Sequence, residues 1–180
     1  MTARRSFWSA ALWMSLAASL AAVAGDIKVT AVVKDAKVSA SFTAPAAFTD
    51  DARAVMQSGL VLTFTFDVEL RRPSGVWFDR TLGTVVAASS VKFDNLTGVY
   101  QVSKLQDDHV VWSERTQDEA QVRAWMTSFE RVPINPAEAL EPNVEYYVHV
   151  RLHASPKRTF SLWPFGHDDG SGRADFTFIR

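Results

Sequence analysis

The sequence predicts a mainly β protein: an antiparallel β-sandwich or partly closed barrel of about eight strands, with one or two short helices. Two long segments alternate with period two, and turn signals separate many shorter alternating runs. A single well-marked helical stripe interrupts them. In a strand, successive side chains point to opposite sides, so alternation marks one buried and one solvated face. Such half-buried strands belong to antiparallel sheets, because parallel strands tend to be apolar on both faces.

The first long segment places Leu60, Leu62, Phe64, Phe66, Val68 and Leu70 on one face. Thr63, Thr65, Asp67, Glu69 and Arg71 fall on the other. The second puts Val144, Tyr146, Val148, Val150 and Leu152 inward, with Glu145, Tyr147, His149, Arg151 and His153 outward. Shorter strands are predicted over 27–33 and 37–43, flanking a turn at Lys34-Asp35-Ala36. Another covers 76–87, after the turn residues Pro73 and Gly75. Further strands are predicted over 91–93, 99–103, 109–114 and 174–180. Thr49 is placed to cap a short helix over 50–57 that Gly59 ends. Thr116 and Glu119 have capping-box spacing for a second helix. Val122, Trp125, Met126 and Phe129 give that helix an apolar stripe, read as core rather than as a cofactor site, and Pro133 stops it.

The N-terminus carries the address. Arg4 and Arg5 precede an apolar run from Phe7 to Leu20 that closes on Ala22-Val23-Ala24. A basic start, an apolar centre and a small-x-small end make a secretory signal peptide. Residues 1–24 are therefore read as a leader cut after Ala24, and 25–180 as one domain, periplasmic or otherwise exported. The alternative is an uncleaved leader that anchors the protein to the inner membrane. After this segment no run is apolar for long enough to span a bilayer.

Composition excludes several classes. There is no cysteine, so disulfides, Cys-ligated metals and thiol chemistry are out. The net charge is −1, and −3 once Arg4 and Arg5 leave with the leader (−1 − 2). Nucleic acid is not predicted as a partner, because phosphate affinity needs concentrated Lys and Arg. No P-loop, nucleophile elbow or paired-His helix is present, so no cofactor, metal or catalytic residue is predicted.

The order of segments resembles a known family. Ser58-Gly59-Leu60-Val61-Leu62 leads into the strand ending Glu69-Leu70-Arg71-Arg72, followed by Val76-Trp77-Phe78-Asp79. Leu96-Thr97-Gly98-Val99-Tyr100-Gln101-Val102 comes next, then the capped helix. Leu140 through Tyr146-Tyr147-Val148-His149-Val150-Arg151 and the closing Phe176-Thr177-Phe178 complete the pattern. This is similar to the bacterial family of exported proteins known as domain of unknown function 4390. The resemblance covers most of 27–180. It implies a signal-led β domain of the bacterial envelope and supplies no catalytic residues.

Candidate interaction residues follow from exposure and chemistry. Trp77 and Asp79 follow a turn near Arg71, Arg72 and Arg80. Tyr147, His149 and Arg151 share an outward strand face. Trp163 and Phe165 sit in a loop otherwise rich in polar residues and glycine, where an exposed aromatic patch would mark a binding site. His149 and His153 lie roughly 13 Å apart on a strand, too far to chelate one ion. Asp67 and Glu69 fall about 6–7 Å apart, near the separation glycosidases use, and also suit an ordinary charged strand face. The expectation is a non-catalytic envelope protein that binds a protein partner through a sheet edge or the aromatic loop. The alternative is a binder of a lipid or other apolar small molecule between the sheets. A carboxylate-dependent hydrolase using Asp67 and Glu69 is the third reading.

Overall fold

The computed structural model describes residues 27–34, 37–75, 78–153 and 170–179. In chain order these form β1 (Lys28–Lys34), β2 (Lys37–Thr43), α1 (Asp50–Gln57), β3 (Leu62–Arg72), β4 (Arg80–Asp94), β5 (Val99–Gln106) and β6 (His109–Thr116). They continue with α2 (Glu119–Thr127), β7 (Ser128–Ile134), β8 (Val144–His153) and β9 (Ser171–Phe178). Two antiparallel sheets result, β1-β2-β7 and β6-β5-β4-β3-β8-β9, and they do not close into a barrel. The leader and the turn at Asp35-Ala36 lie outside the described residues. Among the described residues no helix is long and apolar enough to cross a membrane.

The two long alternating segments, β3 and β8, pair at the heart of the larger sheet, with Phe66 opposite Leu152 and Leu70 opposite Val148. Phe64, Phe66, Val68 and Leu70 point into the core, as the alternation requires. Rings from both sheets meet there. Phe42 of β2 lies 5.1 Å from Phe66 of β3 and 4.8 Å from Phe129 of β7, and Phe66 lies 5.3 Å from Phe129. Aromatic pairs at such distances add about 0.5–1.5 kcal/mol each beyond the area they bury.

Three elements differ from the sequence reading. First, β4 is one strand of 15 residues, where the sequence suggested two. Ala88, Ser89 and Ser90, between the predicted strands 76–87 and 91–93, looked like a break. Instead Ser89 faces inward, fully buried, and its hydroxyl donates to the Met126 carbonyl of α2 at 2.7 Å. Second, α2 is capped by Asp118, whose Oδ1 accepts from the Ala120 N–H at 2.8 Å. Glu119 is drawn away from a capping box because Arg53 and Gln57 of α1 both bind its carboxylate. Third, the helix ends at Thr127, and β7 begins at once, carrying Phe129 and Pro133. Apolar Phe129 therefore serves a strand, while Val122 and Met126 are the buried helical stripe.

One flank of the sandwich is sealed. The start of β1 crosses β9, where the Ile27 N–H donates to the Ser171 carbonyl at 3.3 Å. A Cβ on Gly172 would stand only 2.0 Å from the Ile27 oxygen, so this crossing tolerates only glycine. A second close approach ties the end of the small sheet to β4. The Ala137 N–H donates to the Leu82 carbonyl at 2.7 Å, and a Cβ on Gly83 would meet the Asn135 oxygen at 2.7 Å. The opposite flank, between β6 and β7, has no such crossing among the described residues and is where a groove opens.

Candidate functional site

The outer face of β3, β8 and β9 gathers the polar residues that alternation placed outward. Glu69 stands opposite His149, and His149 opposite Arg173. Arg71 stands opposite Tyr147, and Tyr147 opposite Asp175. The structure brings Asp79 into this group from the β3–β4 hairpin. The Tyr147 hydroxyl donates to Asp79 Oδ2 at 2.5 Å, and the Ser74 N–H donates to Oδ1 at 3.0 Å. Asp79 thereby clips the hairpin tip onto β8. Arg173 lies over the Tyr147 ring, its guanidinium carbon 3.7 Å from the centroid. Tyr147 was expected to be solvated. It is only 3% exposed, because the guanidinium and the hairpin tip cover it.

These contacts set the electrostatics. The bond from Tyr147, then that from Ser74, holds the Asp79 carboxyl below its ordinary range. Burial, then the Asp79 bond, pushes the Tyr147 phenol up. Burial, then nearby Arg151, pushes His149 down, which favours the neutral imidazole near neutral pH. His153 Nε2 lies 2.5 Å from Asp67 Oδ2. Arg151, although opposite Asp67 in register, makes no ion pair within 4 Å among the described residues. Arg71 Nε lies 3.0 Å from Glu69 Oε2 but donates to Thr81 Oγ1, leaving Oε2 buried without a hydrogen bond. Asp67 thus faces His153 and Glu69 faces Arg71, and the two carboxylates are not aimed at a shared point. Among the described residues no group of three or more His, Asp or Glu side chains is placed to hold a metal ion. Trp77, Trp163 and Phe165 lie outside the described residues.

The open flank holds a feature the sequence reading missed. On β5, Tyr100, Val102, Lys104 and Gln106 share the inward face by parity. Lys104 Nζ donates to the Ser128 carbonyl of β7 at 2.8 Å, and Gln106 Nε2 donates to the Pro133 carbonyl at 3.4 Å. Around Lys104 lies a half-open groove of about 460 Å³, walled by Trp112 of β6, Trp125 of α2 and Phe129. The ammonium sits 5.5 Å from the Trp112 centroid and 5.2 Å from that of Phe129. Trp112 and Trp125 meet edge to face at 5.0 Å. Burial lowers the Lys104 pKa, with Glu130 partly opposing the shift. Beside the groove runs β6, the outermost strand of its sheet, with Val110 and Val111 exposed at 62% and 61%. Part of the signal was present in the sequence: Lys104 stands two residues past Val102, one beyond the strand predicted over 99–103.

The family model described as a domain of unknown function (DUF4390) matches residues 25–158. The chain belongs to that family. The match takes in the DUF4390 strands β1 to β8, the groove and the Tyr147–Asp79 clip, and stops before β9. No curated protein and no solved structure matches the chain.

Proposed function

We propose that this DUF4390 protein is an exported, non-catalytic envelope protein that binds a protein partner by strand addition along β6. The observation that carries the reading is the state of that edge. Sheet edges offer unpaired N–H and C=O groups, and proteins normally blunt them with proline, bulges or charge. The β7 edge follows the rule: Pro133 lies within it, Arg131 has φ of +49°, and Lys104 and Gln106 occupy two of its carbonyls. The edge of β6 is blunted less: it has no proline, and its one irregularity is at Val111, the extra residue between the pairs Leu105–Val110 and Lys104–Trp112. Its charges sit toward the ends, at His109, Glu114 and Arg115, and Val110 and Val111 stand exposed between them. Strand addition uses such an edge, the main chain giving affinity and alternate side chains giving selectivity. Export rests on the leader pattern at Arg4-Arg5 and Ala22-Val23-Ala24.

The test is a comparison of wild type with the Val110→Lys, Val111→Lys double variant in capture from crosslinked envelopes. Both side chains are exposed, so the variant should keep the wild-type melting temperature. The reading requires a partner band present with wild type and absent with the variant. An identical set of captured proteins from both would refute it. The reading of an apolar molecule held between the sheets gains nothing from the centre of the sandwich, which Phe42, Phe66 and Phe129 fill.

A further inference from the structure

We infer that the groove on the open flank is a binding site for a small organic carboxylate with an aliphatic or aromatic body, its acid group paired with Lys104 and its body against Trp112, Trp125 and Phe129. The charge of the groove favours an anion. Its ionisable lining residues are Lys104, Arg131 and Glu130, two cations against one acid, in a chain whose net charge is −1. Among the described residues no carboxylate lies within 4 Å of the Lys104 ammonium, which spends one donor on the Ser128 carbonyl. An ammonium has three donors, so two remain for a ligand. A partly desolvated charge without a counter-ion is costly, and an incoming carboxylate would offset that cost. The walls fit the rest of such a molecule. Ligand sites are mostly apolar clefts with a few placed polar groups, and a volume of about 460 Å³ is in the usual range. Binding of the acid would also favour the protonated amine, whose pKa burial lowers. The inference does not rest on strand addition at β6, although Val111 and Trp112 of that strand line the groove.

The probes are octanoate and 1-octanol, which share a chain and differ in charge. Binding to the purified protein is followed by backbone amide shifts in heteronuclear NMR. Octanoate is expected to bind at least tenfold more tightly than octanol and to shift amides of 104–112 and 125–132. Its affinity should fall as pH rises and Lys104 loses its proton. Lys104→Gln keeps a donor for the Ser128 carbonyl and removes the charge, so it should abolish the preference for octanoate. Equal binding of the two probes, shifts mapping elsewhere, or no binding of octanoate would overturn the inference. If the variant fails to fold, the wild-type comparison and its pH dependence decide alone.

Discussion

A methyl group added at Gly172 tests the sealed flank of the sandwich. The new Cβ would stand 2.0 Å from the Ile27 oxygen and 2.7 Å from Val29 Cγ2. The first obstacle is backbone and cannot rotate aside, so β1 must retreat from β9 by about 1 Å or more to restore van der Waals distance. That retreat breaks the bond from the Ile27 N–H to the Ser171 carbonyl and uncovers Ile27, which is 5% exposed. Overpacking of a filled site costs about 1–3 kcal/mol, and the lost bond and burial place Gly172→Ala toward the upper end. For a domain of this size each kcal/mol lowers Tm by about 2–4 °C, so a fall of about 5–10 °C is expected. Gly75→Ala is the control. Nothing lies within 4 Å of a Cβ there, and the same change should leave Tm unchanged or raise it slightly, by restricting the unfolded chain. Thermal unfolding followed by circular dichroism measures both. Equal melting temperatures for Gly172→Ala and wild type would refute the crossing of β1 over β9.

Other expected outcomes follow from individual contacts. Phe66→Ala removes a fully buried ring that touches both Phe42 and Phe129, and should cost about 3–5 kcal/mol in denaturant unfolding. Ser89→Ala leaves the Met126 carbonyl without its buried donor and should cost about 1–3 kcal/mol in the same assay. The Asp79 clip predicts a pH effect. Its folded pKa is depressed, so its stabilisation is present above the ordinary carboxylate value of about 3.9 and is lost as pH falls through the lower folded value. Tyr147→Phe removes the main cause of that depression. The variant should therefore show a shallower loss of Tm between about pH 4 and pH 2 than wild type.

The parts of the fold legible in sequence are those governed by local periodicity. The inward residues of β3 and β8 follow from alternation because each strand buries one face, and Thr49 caps α1 through a bond to the Ala52 N–H that lies within one turn. What escaped depends on partners distant in the chain. The length of β4 rests on Ser89 finding Met126, and the cap of α2 on Glu119 being taken by Arg53. β7 was hidden because Phe129 continues the spacing of the helical stripe before it. The polar face shows the same division. Tyr147, His149 and Arg151 share a face by parity, whereas the burial of Tyr147 needs Asp79 and Arg173, which no local pattern reveals. Lys104 fell one residue beyond the strand predicted over 99–103, and the groove around it exists only because α2 and β7 return over β5 and β6.

The most direct test of strand addition at β6 is site-specific photocrosslinking in the living host. A photoreactive amino acid placed at Val111, on the open flank, should yield one discrete adduct with another protein. The same group at exposed Val32 on β1, in the other sheet, should yield none. An adduct at Val32 with none at Val111 would contradict the account, as would no adduct at either position.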